Sequence, residues 1–555
     1  MMKKKWLLII GITFVSFSLG QGINPVTTEN LDLDDLVYST FLGGSAIDIG
    51  TATIQDSQGN IIIAGLTYST DFPVTSGAYD ETHNGGVDVF VSKFSPDGSS
   101  LIFSTYIGGS EDELHHYSQD HWASQIAIAV DSSDNIIVHG PTHSSDFPVT
   151  PGAYDDTYSG TGDMFVLKLA ANGSDLLFST YLGGSDAEEN ARSLAVDEAD
   201  NIYLSGFTES TDFPTTPDAL NTTHNGEWDA FVSKLASNGS LLLYSTFFGG
   251  SMQEVYLNIL LDTENNIYIS GQTYSLDLPI TSNAFDPVGK SVGDYNCDGF
   301  IAKISLDGSE LLYSTYVSGS APDTVFDMAV DGSGTMYLAG FTCSSDIEIT
   351  SNAFDKTFNS IEGVDDGILM KIASSGELLY SSYLGGLDLD VFEKILLDNQ
   401  NNIYLLGVSA SDNYPTSSNA YATTNKGDFD FIITKMPSNG SCILYSSYLG
   451  GSEYEPTLWQ SGIWGPNKPD YLLLSENSVV IVGSTDSADY PVTNNALNKT
   501  LNGQSDVCIS QLNFTDLPTL PPSPTTTPVE VNFPSFIYLL SATGVIISFR
   551  KKQKR

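Results

Sequence analysis

Three histidines and three tryptophans gather in two short stretches. His115, His116, His121 and Trp122 lie in SEDELHHYSQDHWASQ, which begins at Ser110. Trp459 and Trp464 lie in SEYEPTLWQSGIWGPNKPDY, which begins at Ser452. The whole chain has only seven His and five Trp, so two loops holding three of each are the first places to look for chemistry. Indole rings on loops suit stacking against sugars or a protein partner. His116 and His121, with Asp120 or Glu113, are residue types that bind a divalent metal, although loop spacing fixes no geometry. The plainer reading is that the two loops pack on each other. Carboxylates are the second candidate: Asp48, Glu111, Asp112, Asp186, Glu188, Asp388 and Glu453 follow Gly-Gly pairs. Among them Glu111, Asp112, Asp186 and Glu188 would offer Ca²⁺ the oxygen ligands it prefers. The alternative there is a solvated acidic rim.

Composition removes several chemistries. The net charge is -47, and 21 Lys+Arg include the KKK near the start and the RKKQKR at the end. Between those ends the only arginine is Arg192. Nothing here could neutralise a phosphate backbone, so nucleic acid is excluded as a partner. Sialidase-like sites need several arginines for a carboxylate substrate, and one does not suffice. No HExxH occurs, which argues against that hydrolase class. Paired carboxylates for glycoside hydrolysis are possible, but acids are so abundant that no pair is singled out.

The ends suggest export and anchoring. Residues 1–20 have a basic start, an apolar run and small residues, the pattern of a secretory signal peptide. Residues 515–530 form a Pro/Thr-rich stalk and 531–549 an apolar stretch, followed by a basic tail at 550–555. As a helix, 531–549 would span about 28 Å, enough for a transmembrane segment, with the basic tail in the cytoplasm. A processed sorting signal is the rival reading of this tail. The bulk of the chain is expected outside the cell, at its surface. Asn172, Asn221, Asn238, Asn439, Asn498 and Asn513 stand in N-x-S/T sequons, candidate glycosylation sites in such a protein. Four cysteines are too few for a disulfide framework. Cys297 and Cys343 fall in adjacent repeats and could pair; free thiols are the alternative.

The candidate loops must be positioned by a repeat. The phrase FSTYLGG at Phe178 has near-copies at Tyr38, Phe103, Tyr244, Tyr313, Tyr380 and Tyr445. Between copies lie three more short β-type runs. The four strands, A to D, are exemplified by TATIQ, NIIIAGLT, DVFVSKF and LIFSTYI of the first unit. The A–B turn reads Asp-x-x-x-Asn, as at Asp56 to Asn60, with side chains that can bond the turn's own backbone. The C–D turn carries glycine at Gly98, Gly173, Gly239, Gly308, Gly376 and Gly440, suited to positive φ. Seven D strands face only six C–D turns, because the last C strand, DVCISQL at Asp506, has no D strand after it. The orphan LVYSTFL at Leu36 is the missing partner. A ring closed this way has no open sheet ends. The expected fold is all-β, a seven-bladed β-propeller of four-stranded blades over residues 36–514, closed by the N-terminal strand and followed by a C-terminal transmembrane helix.

The units resemble the SBBP β-propeller repeat of prokaryotic surface and secreted proteins. The resemblance rests on GNIIIAGLTYSTDFPVTSGAYD from Gly59, DVFVSKFSPDGS from Asp88 and STYLGG from Ser179. It implies a fold and no catalytic residues. The two enlarged loops would be D–A connections entering blades 2 and 7, on the face that also bears the long B–C loops. The expected role is a surface-anchored, non-catalytic adhesion or binding module for glycan or protein, with calcium as the one cofactor in view. The alternatives are a structural envelope component without a discrete site, and a carbohydrate-active lyase or hydrolase using a histidine of the blade 2 loop.

Overall fold

The computed structural model describes residues 35–114, 125–186, 189–290, 296–360, 364–455 and 469–515. The expected signal peptide, stalk, transmembrane segment and basic tail lie outside the described residues. Among the described residues no helix is long and apolar enough to cross a membrane.

Each of the seven units folds into a four-stranded antiparallel sheet in the order A-B-C-D. In blade 1 these strands are Asp48–Gln55, Ile61–Thr67, Asp88–Phe94 and Leu101–Ile107. Strands B and C of this blade are buried at every residue. Both faces of a sheet pack on neighbouring blades, which is why strand B reads as the continuous apolar run IIIAGLT rather than alternating. The A strands line a central channel, and the D strands form the rim, where Ile102 and Leu177 are about half exposed.

Ring closure is as the sequence predicts. Leu36–Leu42 pairs antiparallel with Asp506–Asn513, with Phe41 opposite Cys508 and Thr40 opposite Ile509. Ser39 and Ser510 hydroxyls meet at 2.8 Å across this pairing. The strand then packs against blade 1: Tyr38 and Leu42 share a core with Ile61, Ile63, Phe72 and Phe90.

The turns follow the expected chemistry. Asp56 Oδ1 accepts from the backbone N–H of Gln58 (2.9 Å) and Asn60 (2.8 Å), and Asn60 Nδ2 donates to Asp56 Oδ2 (2.7 Å). The six C–D glycines all adopt positive φ, from 67 to 93°. The aromatic residue that opens the repeated phrase explains why no side chain fits there. A Cβ on Gly98 would strike the Tyr38 ring of the preceding blade, and Gly173, Gly239 and Gly308 face Phe103, Phe178 and Tyr244 in the same way.

Deleting residues 22–43 should therefore cost more than one strand. Tyr38, Phe41 and Leu42 are each at most 1% exposed, and burying three such side chains is worth roughly 5–9 kcal/mol, comparable with a whole domain's stability. Calorimetry of the truncated chain should show loss of the cooperative transition. A truncation that melts like the intact protein would refute closure by this strand.

Candidate functional site: the loop face and the central channel

The B–C loops and D–A connections share one face, and a repeated tie holds it together. Ser45, just after Gly43-Gly44, donates to Asp71 Oδ1 from its N–H (2.8 Å) and its hydroxyl (2.9 Å). Asp71 opens the DFPVT loop of blade 1, so the bond joins the end of one blade to the loop of the next. Ser110 to Asp146, Ser251 to Asp277, Ser320 to Asp346 and Ser452 to Asp489 repeat it. The second glycine of the pair gives this contact its room: a Cβ on Gly44 would lie 2.5 Å from Asp71 Oδ1 and from Ser69 Cβ. The DFPVT words are thus inter-blade ties.

The first glycine of the pair faces a different group. The acid four residues after the second glycine and the Asp that opens strand C of the preceding blade both crowd it. At Gly108 a Cβ would sit 2.5 Å from both Asp88 Oδ1 and Glu113 Oε2. Asp48 with Asp506, Glu254 with Asp229, Asp390 with Asp366, and Glu455 with Asp430 flank Gly43, Gly249, Gly385 and Gly450 alike. These carboxyls are buried and are held by their own blade. Asp48 accepts from Gly44 N (2.7 Å), Ser69 Oγ (2.9 Å) and the Thr67 hydroxyl. Burial raises Asp48 to about 6, Asp366 to about 7, and Glu254 and Glu455 to about 8, with the neighbouring acid adding to the effect.

The opposite face is tied by lysines. Lys93, Lys168, Lys234 and Lys303 of strand C pair with Asp56, Asp131, Asp197 and Asp262 of the A–B turns at 2.7–3.0 Å. Lys93 also donates to the carbonyl of Ala171 in the next blade (3.0 Å). Burial alone would raise Asp56, but the bonds from Lys93 and Asn60 overcome it and hold the carboxyl below its ordinary value.

The channel encloses about 210 Å³ and breaks the sevenfold regularity. Residues at one register of the A strands are Ala52, Ala127, Ser193, Asn258, Asp327, Lys394 and Asp470. They form a bonded polar arc on one side: Ser193 Oγ to Asn258 Oδ1 (2.9 Å), Asn258 Nδ2 to Asp327, and Lys394 to Asp470 (3.1 Å). Arg192 lies one residue away, buried, with its guanidinium 4.7 Å from the Tyr256 ring centre. The single internal arginine is therefore part of the channel wall.

Of the sequence candidates, His115, His116, His121, Trp122, Trp459, Trp464 and Glu188 lie outside the described residues. The chain re-enters from the two loops at Gln125 and at Pro469, and both line the channel. Glu113 belongs to the junction of blades 1 and 2. It is buried, accepting from Ser144 Oγ (2.7 Å) and Gly109 N (3.2 Å). Asp48 likewise belongs to a blade junction, not to a solvated rim. Glu111 and Asp112 stand at the junction of blades 1 and 2, and Asp186 at that of blades 2 and 3. Among the described residues no group of three or more His, Cys, Asp or Glu could hold a metal ion.

Of the two expected readings of Cys297 and Cys343, a bond or free thiols, the structure has the second. All four cysteines are free. Asp323 N donates to Cys297 O (2.9 Å) and Cys343 N to Pro322 O (2.8 Å), so the chain at 322–323 runs between them. Two strand spacings separate the pair by about 9–10 Å, beyond the roughly 4.4–6.8 Å that a disulfide spans. The Cys343 thiol instead donates to Asp365 Oδ1 at 2.7 Å.

Five sequons have a turn-based origin. Asn172, Asn238 and Asn439 occupy the C–D turn position filled by Asp97 and Asp307 elsewhere, and all three are exposed. Asn172 Oδ1 accepts from the N–H (3.2 Å) and hydroxyl (3.0 Å) of Ser174, as Asp97 does from Ser99. Asn221 and Asn498 replace Asp80 and Asp155 of sister blades and accept from Thr223 N and Thr500 N. Asn513 ends the last C strand and is half-buried.

Sequence reasoning named Asp48, Glu113 and Glu188 as rim or metal candidates but missed the Asp that opens each C strand and the pairing of the two. Their signal was present: every C strand begins with Asp, and in six units an acid stands four residues after the second glycine.

Residues 177–214 match the SBBP β-propeller repeat. No curated protein matches the sequence. Solved structures with a similar course include a protein of unknown function from Dyadobacter fermentans, 10% identical, covering 86% of this chain and 98% of that one at a TM-score of 0.39. A PL25 ulvan lyase bound to a GlcA–Rha3S saccharide is 10% identical over 81% and 92% of the two chains, TM-score 0.43. BamB from Moraxella catarrhalis is 10% identical over 85% of each, TM-score 0.32. At these values the likenesses carry no argument about activity.

Two measurements check the geometry. Gly250→Ala would place a Cβ 2.5 Å from Asp277 Oδ1 and Ser275 Cβ and should destabilise the protein by about 1–3 kcal/mol or more in denaturant melts. Gly332→Ala, with nothing within 4 Å, should stay within about 0.5 kcal/mol. Thiol titration of the unfolded, unreduced chain should find four thiols; two would restore the disulfide.

Proposed function

Taking the chain as a carrier of the SBBP β-propeller repeat, we propose that it is a cell-surface-anchored, non-catalytic binding module for a glycan or protein. Its ligand-facing surface is the B–C/D–A face. The observation that carries this reading is where the ring's two ends leave. Asn513 N donates to Asp35 O (2.7 Å), and Phe514 N donates to Asn477 O (3.1 Å) in the A–B turn of blade 7. Both ends therefore emerge on the A–B/C–D face. An anchor beyond residue 515 would hold that face toward the membrane and turn the long loops outward. The chain leaves and re-enters the ring for the two enlarged connections at Leu114 and Gln125 and at Glu455 and Pro469, and His115, His116, His121, Trp122, Trp459 and Trp464 are the residues that would meet a ligand. Calcium would act, if at all, through Glu111, Asp112, Asp186 and Glu188.

A glycan array with residues 22–516, with and without Ca²⁺, tests the proposal beside a Trp122→Ala/Trp459→Ala/Trp464→Ala variant. Selective binding that falls at least tenfold in the variant is the expected result. Binding of no glycan moves the ligand to a protein, and pull-down from cell envelopes then decides between that and a purely structural role. Turnover of a bound glycan that disappears in His121→Ala, with folding intact, would overturn the non-catalytic reading.

A further inference from the structure

The blade junctions carry a chemistry that surface binding leaves unused. At the junction of blades 5 and 6, Asp366 Oδ1 and Asp390 Oδ2 both lie within 2.7 Å of the point where a Cβ would sit on Gly385. The oxygens are unequally served. Asp390 Oδ2 accepts from Gly386 N (2.5 Å) and Ser411 Oγ (2.8 Å), and its Oδ1 accepts from Ser409 Oγ (2.5 Å). Asp366 Oδ2 accepts from Asn359 N (2.9 Å), whereas Oδ1, fully buried and facing Asp390, has no donor. The same oxygen of Asp430 faces Glu455 and also lacks a donor. Two carboxylates flanking one glycine in a dry site cannot both ionise cheaply. One proton between them removes the repulsion and supplies the donor that the orphan oxygen lacks.

We propose that the blade junctions are closed by carboxyl pairs sharing one proton each, making the ring a pH-sensitive device that loosens as these pairs ionise. The groups around the Asp366–Asp390 pair reinforce this: Asp355, Asp388, Tyr383, Tyr414 and Tyr448 act on it, with no cation among these described residues. Around Asp430–Glu455 stand Tyr448, Tyr490 and Cys508, and one cation, Lys426, whose N–H donates to Asp430 Oδ2 at 2.9 Å. Burial raises Asp366 to about 7, Asp390 and Asp430 to about 6 and Glu455 to about 8; the facing acid adds to this at Asp366 and Glu455, whereas the bond with Glu455 lowers Asp430. The folded chain thus holds protons that the unfolded chain releases near pH 4. The contribution is complete below that pH and is lost as pH rises through about 6–8. The lysine-paired turn acids, held below their ordinary value, lose theirs only on the acid side.

Asp366→Asn/Asp430→Asn in the full-length protein is the test. The new amides donate where the shared proton stood, and the remaining oxygens still accept from Asn359 and Lys426. Wild type should melt lower at pH 9 than at pH 5. The double variant should melt as wild type does at pH 5 and higher than wild type at pH 9, with about two fewer protons released on unfolding near pH 7. Identical pH slopes in the two proteins would overturn the proposal. So would CaCl₂ raising, and chelator lowering, the wild-type melting temperature at pH 8 with that response absent in the variant, because the junctions would then hold a cation. If the double variant does not fold, infrared spectra of wild type and Asp430→Asn at pH 7 decide. A protonated-carboxyl band that weakens in the variant supports the shared proton, and its absence from wild type refutes it.

Discussion

The structure depends on close approach at Gly-Gly. At five crossings from rim to channel the backbone comes against two carboxyls at the first glycine, and at the second glycine it meets a serine with an aspartate, or with Asn413 in one case. A Cβ on either glycine would strike these groups; between blades 4 and 5 Ser318 takes the first place and its hydroxyl bonds Asp286. The consequences run outward from that contact: the serine after the pair can reach the DFPVT loop, the A strand begins at a buried acid, and the channel radius is set by how near seven A strands come to one another.

Much of this was legible because the chain spells it seven times. The repeated phrase can be read letter by letter in blade 1. Phe103 covers the next blade's turn glycine, Ser104 meets Ser92 at 2.8 Å, and Thr105 bonds the Asp80 backbone. Tyr106 donates to the Ser69 carbonyl at 2.9 Å. Strand count, turn chemistry and the closing strand follow from period and propensity. The acid pairs did not emerge from a one-unit reading because their two members belong to neighbouring blades, more than twenty residues apart in sequence, as Asp366 and Asp390 do. The choice between a disulfide and free thiols stayed open for a related reason. Cys297 and Cys343 occupy adjacent units, but adjacency of units does not say which strand lies between them. The sequons were visible as sequons; that Asn172 and Asn498 stand where sister blades place Asp becomes plain only with the turns in view.

The charge balance also has a structural meaning. Lys93, Lys168, Lys234 and Lys303 are paired with turn aspartates, and Arg192 and Lys394 belong to the channel. With most of the few cations engaged internally, a chain with 68 acidic residues and a net charge of -47 presents a surface dominated by carboxylates. Such a surface disfavours polyanionic partners and leaves discrimination to uncharged contacts, above all aromatic ones.

Closure by the first strand also sets an order of events during biosynthesis. Ser39 and Ser510 meet across 471 residues, so the first strand of the ring to be made must wait for the last. Until then, Leu36–Leu42 offers an unpaired edge with large apolar side chains, the kind of segment that seeks foreign strands. The entropic penalty of so long a loop grows only logarithmically, so the difficulty is one of timing. Six blades can assemble as the chain emerges, but the toroid becomes a cooperative whole only when its final strand arrives, and a chain cut short before Asp506 leaves its own beginning exposed.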